Sequence, residues 1–147
     1  MSQIENQQDI LVRYEGQDEI RLVRTKDGHG SMQITACKAV CEALEKLKAV
    51  HGPNPEKWPE PQGSTHADIL VRELIMKTQG RFHFPYEHEE LCHCRTVPAQ
   101  IVDKAIMAGA HTVELVAQIT TAGTSCGTCR PDTEKIIQFR LASSESR

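Results

Sequence analysis

Two periods of apolar residues organise this chain. The runs "ILVRY" (10–14) and "EIRLVRT" (19–25) are short and rich in β-branched residues, with "EGQD" between them, and read as the two strands of a β-hairpin. "KDGHG" (26–30) reads as a turn. From about Gln33 to Val50 the period lengthens. Cys37, Val40, Cys41, Leu44 and Leu47 recur at steps of three and four, with Lys38, Glu42, Glu45, Lys46 and Lys48 on the other side. That pattern predicts an amphipathic helix, stopped by Gly52 and Pro53.

Residues 51–64 carry four of the seven prolines. Proline fixes φ and lacks an N–H donor, so this segment is expected to be a stiff, extended linker. Thr65, with Asp68 three residues later, resembles a capping box and opens a second helix. Its predicted buried stripe is Ala67, Leu70, Val71, Leu74 and Ile75, and Gly80 is the predicted stop. The aromatic stretch "RFHFPYEHEE" (81–90) has no regular period. Three short helical patterns follow. The first runs from about Pro98 to Ala108, with Ile101, Val102, Ala105 and Ile106 inward and Gly109 as its stop. The second, Thr112 to Thr120, is expected to bury Val113, Val116 and Ile119. The third runs from Pro131 towards Leu141 and buries Ile136 and Ile137, and only the tail "SSESR" reads as disordered.

The expected fold is therefore α+β and mostly helical. Residues 1–50 form a small β-hairpin and helix of no assigned role, 51–64 the linker, 65–90 a helix and loop, and 91–142 a helical unit. The chain has 147 residues, a formal net charge of -3 and 39% hydrophobic residues, enough to supply a core. That balance, without a basic run interleaved with aromatics, argues against nucleic acid as a partner. No apolar run has the length of a membrane span, and "MSQIENQQDI" lacks the basic and apolar regions of a secretory leader. A cytoplasmic location is expected, and there six cysteines serve metal or redox chemistry more readily than structural disulfides.

Four of those cysteines form two close pairs, Cys92/Cys94 in "ELCHCRTV" and Cys126/Cys129 in "TSCGTCRP". Each iron of a 2Fe–2S cluster takes two protein ligands, usually thiolates, so two pairs suit it. Such a cluster is anionic. Both pairs precede a predicted helix start, whose N–H groups and dipole favour anions, and Arg95 and Arg130 each follow the second cysteine of a pair. Gly127 would allow close backbone approach. The competing readings are a structural zinc site, whose knuckles usually space their cysteines more widely than Cys92 and Cys94, and a disulfide framework.

Residues 91–138, with C-x-C, a valine three residues on, the core "AIMAGAHTVELV", a glycine-bearing loop and "CGTC", resemble the domain of bacterioferritin-associated ferredoxins. Relatives of that domain occur in NifU-type assembly proteins, assimilatory nitrite reductases and some copper chaperones. The resemblance implies a small all-helical, helix-turn-helix BFD-like unit with Cys92, Cys94, Cys126 and Cys129 as ligands of a 2Fe–2S cluster. It further implies a ferredoxin-like electron carrier without a substrate of its own, docking on a redox partner protein. The alternative functions are an iron–sulfur assembly or delivery component serving an acceptor protein, and a redox or iron sensor.

The remaining candidates carry less. Cys37 and Cys41 share a helix face that is also the apolar stripe, so they are expected to fill core. His83, His88 and His93 crowd the first cysteine pair, where four thiolates already complete the ligand shell. His29, His51, His66 and His111 join no constellation. No nucleophile–base pair or Gly-rich phosphate loop is present.

Overall fold

The computed structural model describes residues 7–14, 16–25, 30–125 and 127–141. Residues 26–29 of the expected turn at 26–30, the tail "SSESR" and Cys126 fall outside the described residues. The chain divides into two compact units, one from Met1–Pro61 with Leu70–Phe82, the other from Gln62–Ile69 with His83–Arg147.

The first unit holds an antiparallel sheet of β1 (Gln7–Tyr14), β2 (Asp18–Thr25) and β3 (Gly30–Thr35) in sequential order. β1 and β2 form the expected hairpin, closed by the Gln17 N–H donating to the Tyr14 carbonyl at 3.0 Å. Alternation buries Ile10, Val12, Tyr14, Ile20 and Leu22. Cross-strand register aligns Ile10, Leu22 and Met32 in one row and Val12, Ile20 and Ile34 in the next. β3 corrects the sequence reading, which began a helix near Gln33. Met32 and Ile34 alternate at the strand period, and the helix α1 starts only at Lys38 and ends at His51. Asp18, buried in the sheet, accepts the Cys37 N–H at 2.7 Å and fixes the passage from β3 into α1.

The proline-rich stretch, expected as a linker, contributes to the core. Trp58 is buried and donates its indole N–H to the Gly52 carbonyl at 2.7 Å. Pro55 is buried in a single turn of 3-10 helix, Pro55–Lys57, capped by the Asn54 side chain. Arg24 ties this turn to the sheet. Its guanidinium donates to Gln8 Oε1 (2.6 Å), Asn54 Oδ1 (3.1 Å), Glu56 Oε2 (3.1 Å) and the Thr78 carbonyl (2.9 Å). Prolines thus shape a packed strap held by side-chain hydrogen bonds.

Helix α2 (His66–Thr78) opens on the predicted box. The Asp68 N–H donates to Thr65 Oγ1 and the Thr65 N–H to Asp68 Oδ2, both at 3.2 Å. It closes with paired bonds, Gly80 N–H to the Lys77 carbonyl and Arg81 N–H to the Met76 carbonyl, made possible by Gly80 at φ 70°.

In the second unit, a short hairpin of β4 (Glu90–Cys92) and β5 (Val97–Pro98) leads into α3 (Ala99–Met107), α4 (Val113–Thr120) and α5 (Arg130–Leu141). Their core unites Leu91, Val97, Val102, Ala105, Ile106, Val116, Ile136 and Ile137, with Phe84 and Tyr86 packed against it. Two predicted core residues lie outside it: Ile101 is 46% and Ile119 63% exposed. Arg140 and Asp103 join α5 to α3 through two parallel 2.7 Å hydrogen bonds, with the guanidinium over the Phe84 ring. No helix among the described residues is long and apolar enough to cross a membrane.

Candidate metal centre

Cys92 ends β4 and Cys129 immediately precedes α5, and the structure brings these two together. Both are buried within the core of the second unit, and their thiols hydrogen-bond to one another. Cys94 sits in the exposed turn between β4 and β5, two residues beyond Cys92. Cys126 lies outside the described residues.

The first pair is positioned differently from the sequence expectation. A hairpin turn, rather than a helix start, surrounds Cys92. In that turn the N–H groups of Cys94 and Arg95 donate to the Cys92 sulfur, and the Gly123 N–H donates from across the site. Burial by itself raises the pKa of the Cys92 thiol. The three amides and the Cys129 thiol outweigh burial, and the thiol is held below its ordinary value. Cys129 does keep the predicted place at a helix start, its carbonyl accepting the Thr133 N–H at 3.0 Å and the Thr133 hydroxyl at 3.1 Å.

Gly123 was missed as a second residue of close approach, beside Gly127. A Cβ at Gly123 would lie 3.1 Å from Arg130 Cγ and 3.6 Å from Cys129 Sγ, and φ there is 79°. At Gly127, where φ is 72°, a Cβ would approach the Arg130 side chain no nearer than 3.8 Å. Tyr86 was also missed. Its hydroxyl donates to the Glu90 carbonyl at 2.8 Å. Burial, then the negative charges of Asp132, Cys129 and Glu90, hold its phenol above the ordinary value.

Arg95 and Arg130 do more than supply charge. Arg95 donates from Nε to Thr124 Oγ1 at 3.1 Å, and Arg130 from Nε to the Gly123 carbonyl at 3.2 Å. Of the histidines near the first pair, His93 stands 3.0 Å from Glu90 through Nδ1, and His88 packs edge-on to Tyr86. Cys37 and Cys41 belong to the other unit. Cys37 is the exposed N-cap of α1, and Cys41 is half-buried with Sγ 3.6 Å from the Ala36 carbonyl. Neither fills core as expected: Cys37 is the extended N-cap that precedes the buried stripe of the helix, and Cys41 is only half-buried.

Soft sulfur donors, removed from water and faced by amide N–H groups, fit an anionic iron–sulfur group. Residues 91–138 match the family model described as BFD-like [2Fe-2S] binding domain. The protein binds a 2Fe–2S cluster. The match spans about a third of the chain. No curated protein and no solved structure gives a significant match.

Proposed function

We propose that the protein is a one-electron carrier in the cytoplasm, with Cys92, Cys94, Cys126 and Cys129 as cluster ligands, and that it docks on a redox partner protein. When bound, the cluster supplies reversible one-electron chemistry. The observation that carries the reading is the set of three amides directed at the buried Cys92 sulfur. N–H donors to a ligand sulfur stabilise the added negative charge on reduction, which is the requirement of a carrier cycling between two charge states. The buried Cys92 and Cys129 limit access of water, while Cys94 in its exposed turn places one ligand near the surface, where a partner can approach.

A second reading, delivery of the cluster to an acceptor protein, is favoured by one observation. Cys37 is exposed at a helix start with Cys41 one turn on, and accessible thiols are what a transfer route uses. Mixing the loaded protein with an apo-ferredoxin, and separately with a one-electron reductant, decides between the two. Fast reversible reduction with the cluster retained supports the carrier. Movement of the intact cluster to the apo-ferredoxin, abolished by Cys37→Ser, establishes delivery.

A further inference from the structure

The loop 121–124 is bound from both cysteine segments. From the first, Arg95 Nε donates to Thr124 Oγ1 at 3.1 Å, and that hydroxyl donates in turn to the Thr121 carbonyl at 2.6 Å. From the second, Arg130 Nε donates to the Gly123 carbonyl at 3.2 Å. Thr121 takes the left-handed conformation at φ 68° that ends α4, and Gly123 follows at φ 79°, where a Cβ would lie a tight 3.1 Å from Arg130 Cγ. Gly123 is buried, and its N–H is a backbone donor that reaches Cys92 from outside the cysteine's own turn.

We infer that Thr124, Arg95 and Arg130 are positioning residues that hold the Gly123 amide on the Cys92 sulfur, and that through this amide they set the reduction potential of the cluster. The inference rests on Cys92 being a cluster ligand. The physical reason is the difference between oxidation states. A fixed N–H dipole interacts more favourably with the more negative, reduced cluster, so withdrawing it disfavours reduction. A donor held by two struts is preorganised, whereas a loose loop would have to be ordered anew on each reduction.

Thr124 separates positioning from charge, since it is neutral and exposed. Thr124→Val removes the hydroxyl that accepts from Arg95 and donates to Thr121, and Thr124→Ser keeps it. In the cluster-loaded full chain, Thr124→Val is expected to lower the potential, disfavouring the reduced form several-fold and up to about tenfold, or about 59 mV for one electron. Thr124→Ser should restore the parent value. The electron-spin g-values of the reduced cluster should shift with Thr124→Val and return with Thr124→Ser. Arg130→Lys, which keeps the charge but loses the planar Nε donor, should move the potential in the same direction. Loaded Thr124→Val and Arg130→Lys proteins with the parent potential and g-values overturn the inference while leaving the cluster reading intact. Thr124→Ser shifting the potential as far as Thr124→Val also overturns it. Cys92→Ser with full, spectrally unchanged cluster removes instead the ligand assignment on which the inference rests.

Discussion

Cys92 and Cys129 in one unit, and Cys37 and Cys41 in the other, are the same residue in opposite settings. Cys92 and Cys129 are buried in a core, where amides and a neighbouring thiol meet the Cys92 sulfur. Cys37 is exposed at the head of a helix, and Cys41 lies half-buried against a backbone carbonyl. A backbone carbonyl is an acceptor and gives no support to a thiolate, whereas directed N–H groups do. The difference lies in what faces each sulfur, N–H donors at Cys92 and a carbonyl acceptor at Cys41.

The largest expected effect breaks the comparison outright. Cys92→Ser or Cys129→Ser replaces a soft thiolate with a poor iron ligand, so iron content and visible absorption should fall sharply. Cys37→Ser and Cys41→Ser should leave both unchanged. Loss of iron on either N-terminal substitution, with the fold retained, would erase the distinction between the two groups.

The next effect concerns how the cluster unit is held. Asp103→Ala leaves the buried Arg140 guanidinium without its carboxylate, its side chain being only 6% exposed. Removing one partner of such a pair costs on the order of 3–5 kcal/mol, read as a lower midpoint in urea unfolding. An unchanged midpoint would show that the aromatic contacts with Phe84 and Phe139 suffice for Arg140.

The environment of Cys92 makes stability depend on pH. Its thiol is held below the ordinary value of 9.0 in the fold, so between the two values the unfolded chain binds more protons. Stability rises with pH in that interval, is fully gained above the ordinary value, and is lost as pH falls through the lowered one. Metal-free protein should therefore become more resistant to urea as pH approaches 9, the ordinary value. Cys92→Ser should reduce that slope, and an equal slope in both proteins would contradict the assigned environment.

The smallest effects are local. Thr112→Ala removes the cap at the start of α4, where Thr112 Oγ1 accepts the Leu115 N–H at 3.1 Å. A loss of about 1 kcal/mol is expected, measured by thermal or urea unfolding. Cys37→Ser, at an exposed position, should stay within about 0.5 kcal/mol. A larger loss at Cys37 would restore it to the core.

What the sequence revealed follows from the range of the forces involved. The capping box at Thr65 and Asp68 and the stops at Gly80 and Gly109 were legible because their hydrogen bonds close within a few residues. The stripe Ile136, Ile137 was legible because its period and its burial coincide. β3 was hidden because Met32 and Ile34 also fit the start of a helical pattern, and only pairing with β2 decides between them. Ile101 and Ile119 have the periodicity of core residues, but they lie in the first turn of α3 and the last turn of α4 and are exposed. At the candidate metal centre the family core was readable. The β4–β5 turn and the Gly123 loop were not, since their relation to Cys92 exists only after the chain has folded.

A 2Fe–2S cluster held by the second unit is tested most directly on anaerobically purified protein. Iron and acid-labile sulfide should be measured together with electron-spin resonance before and after reduction. About two iron and two sulfide per chain are expected, with a rhombic signal that appears only on reduction. Stoichiometric zinc without sulfide, from cells supplied with iron, would contradict the account.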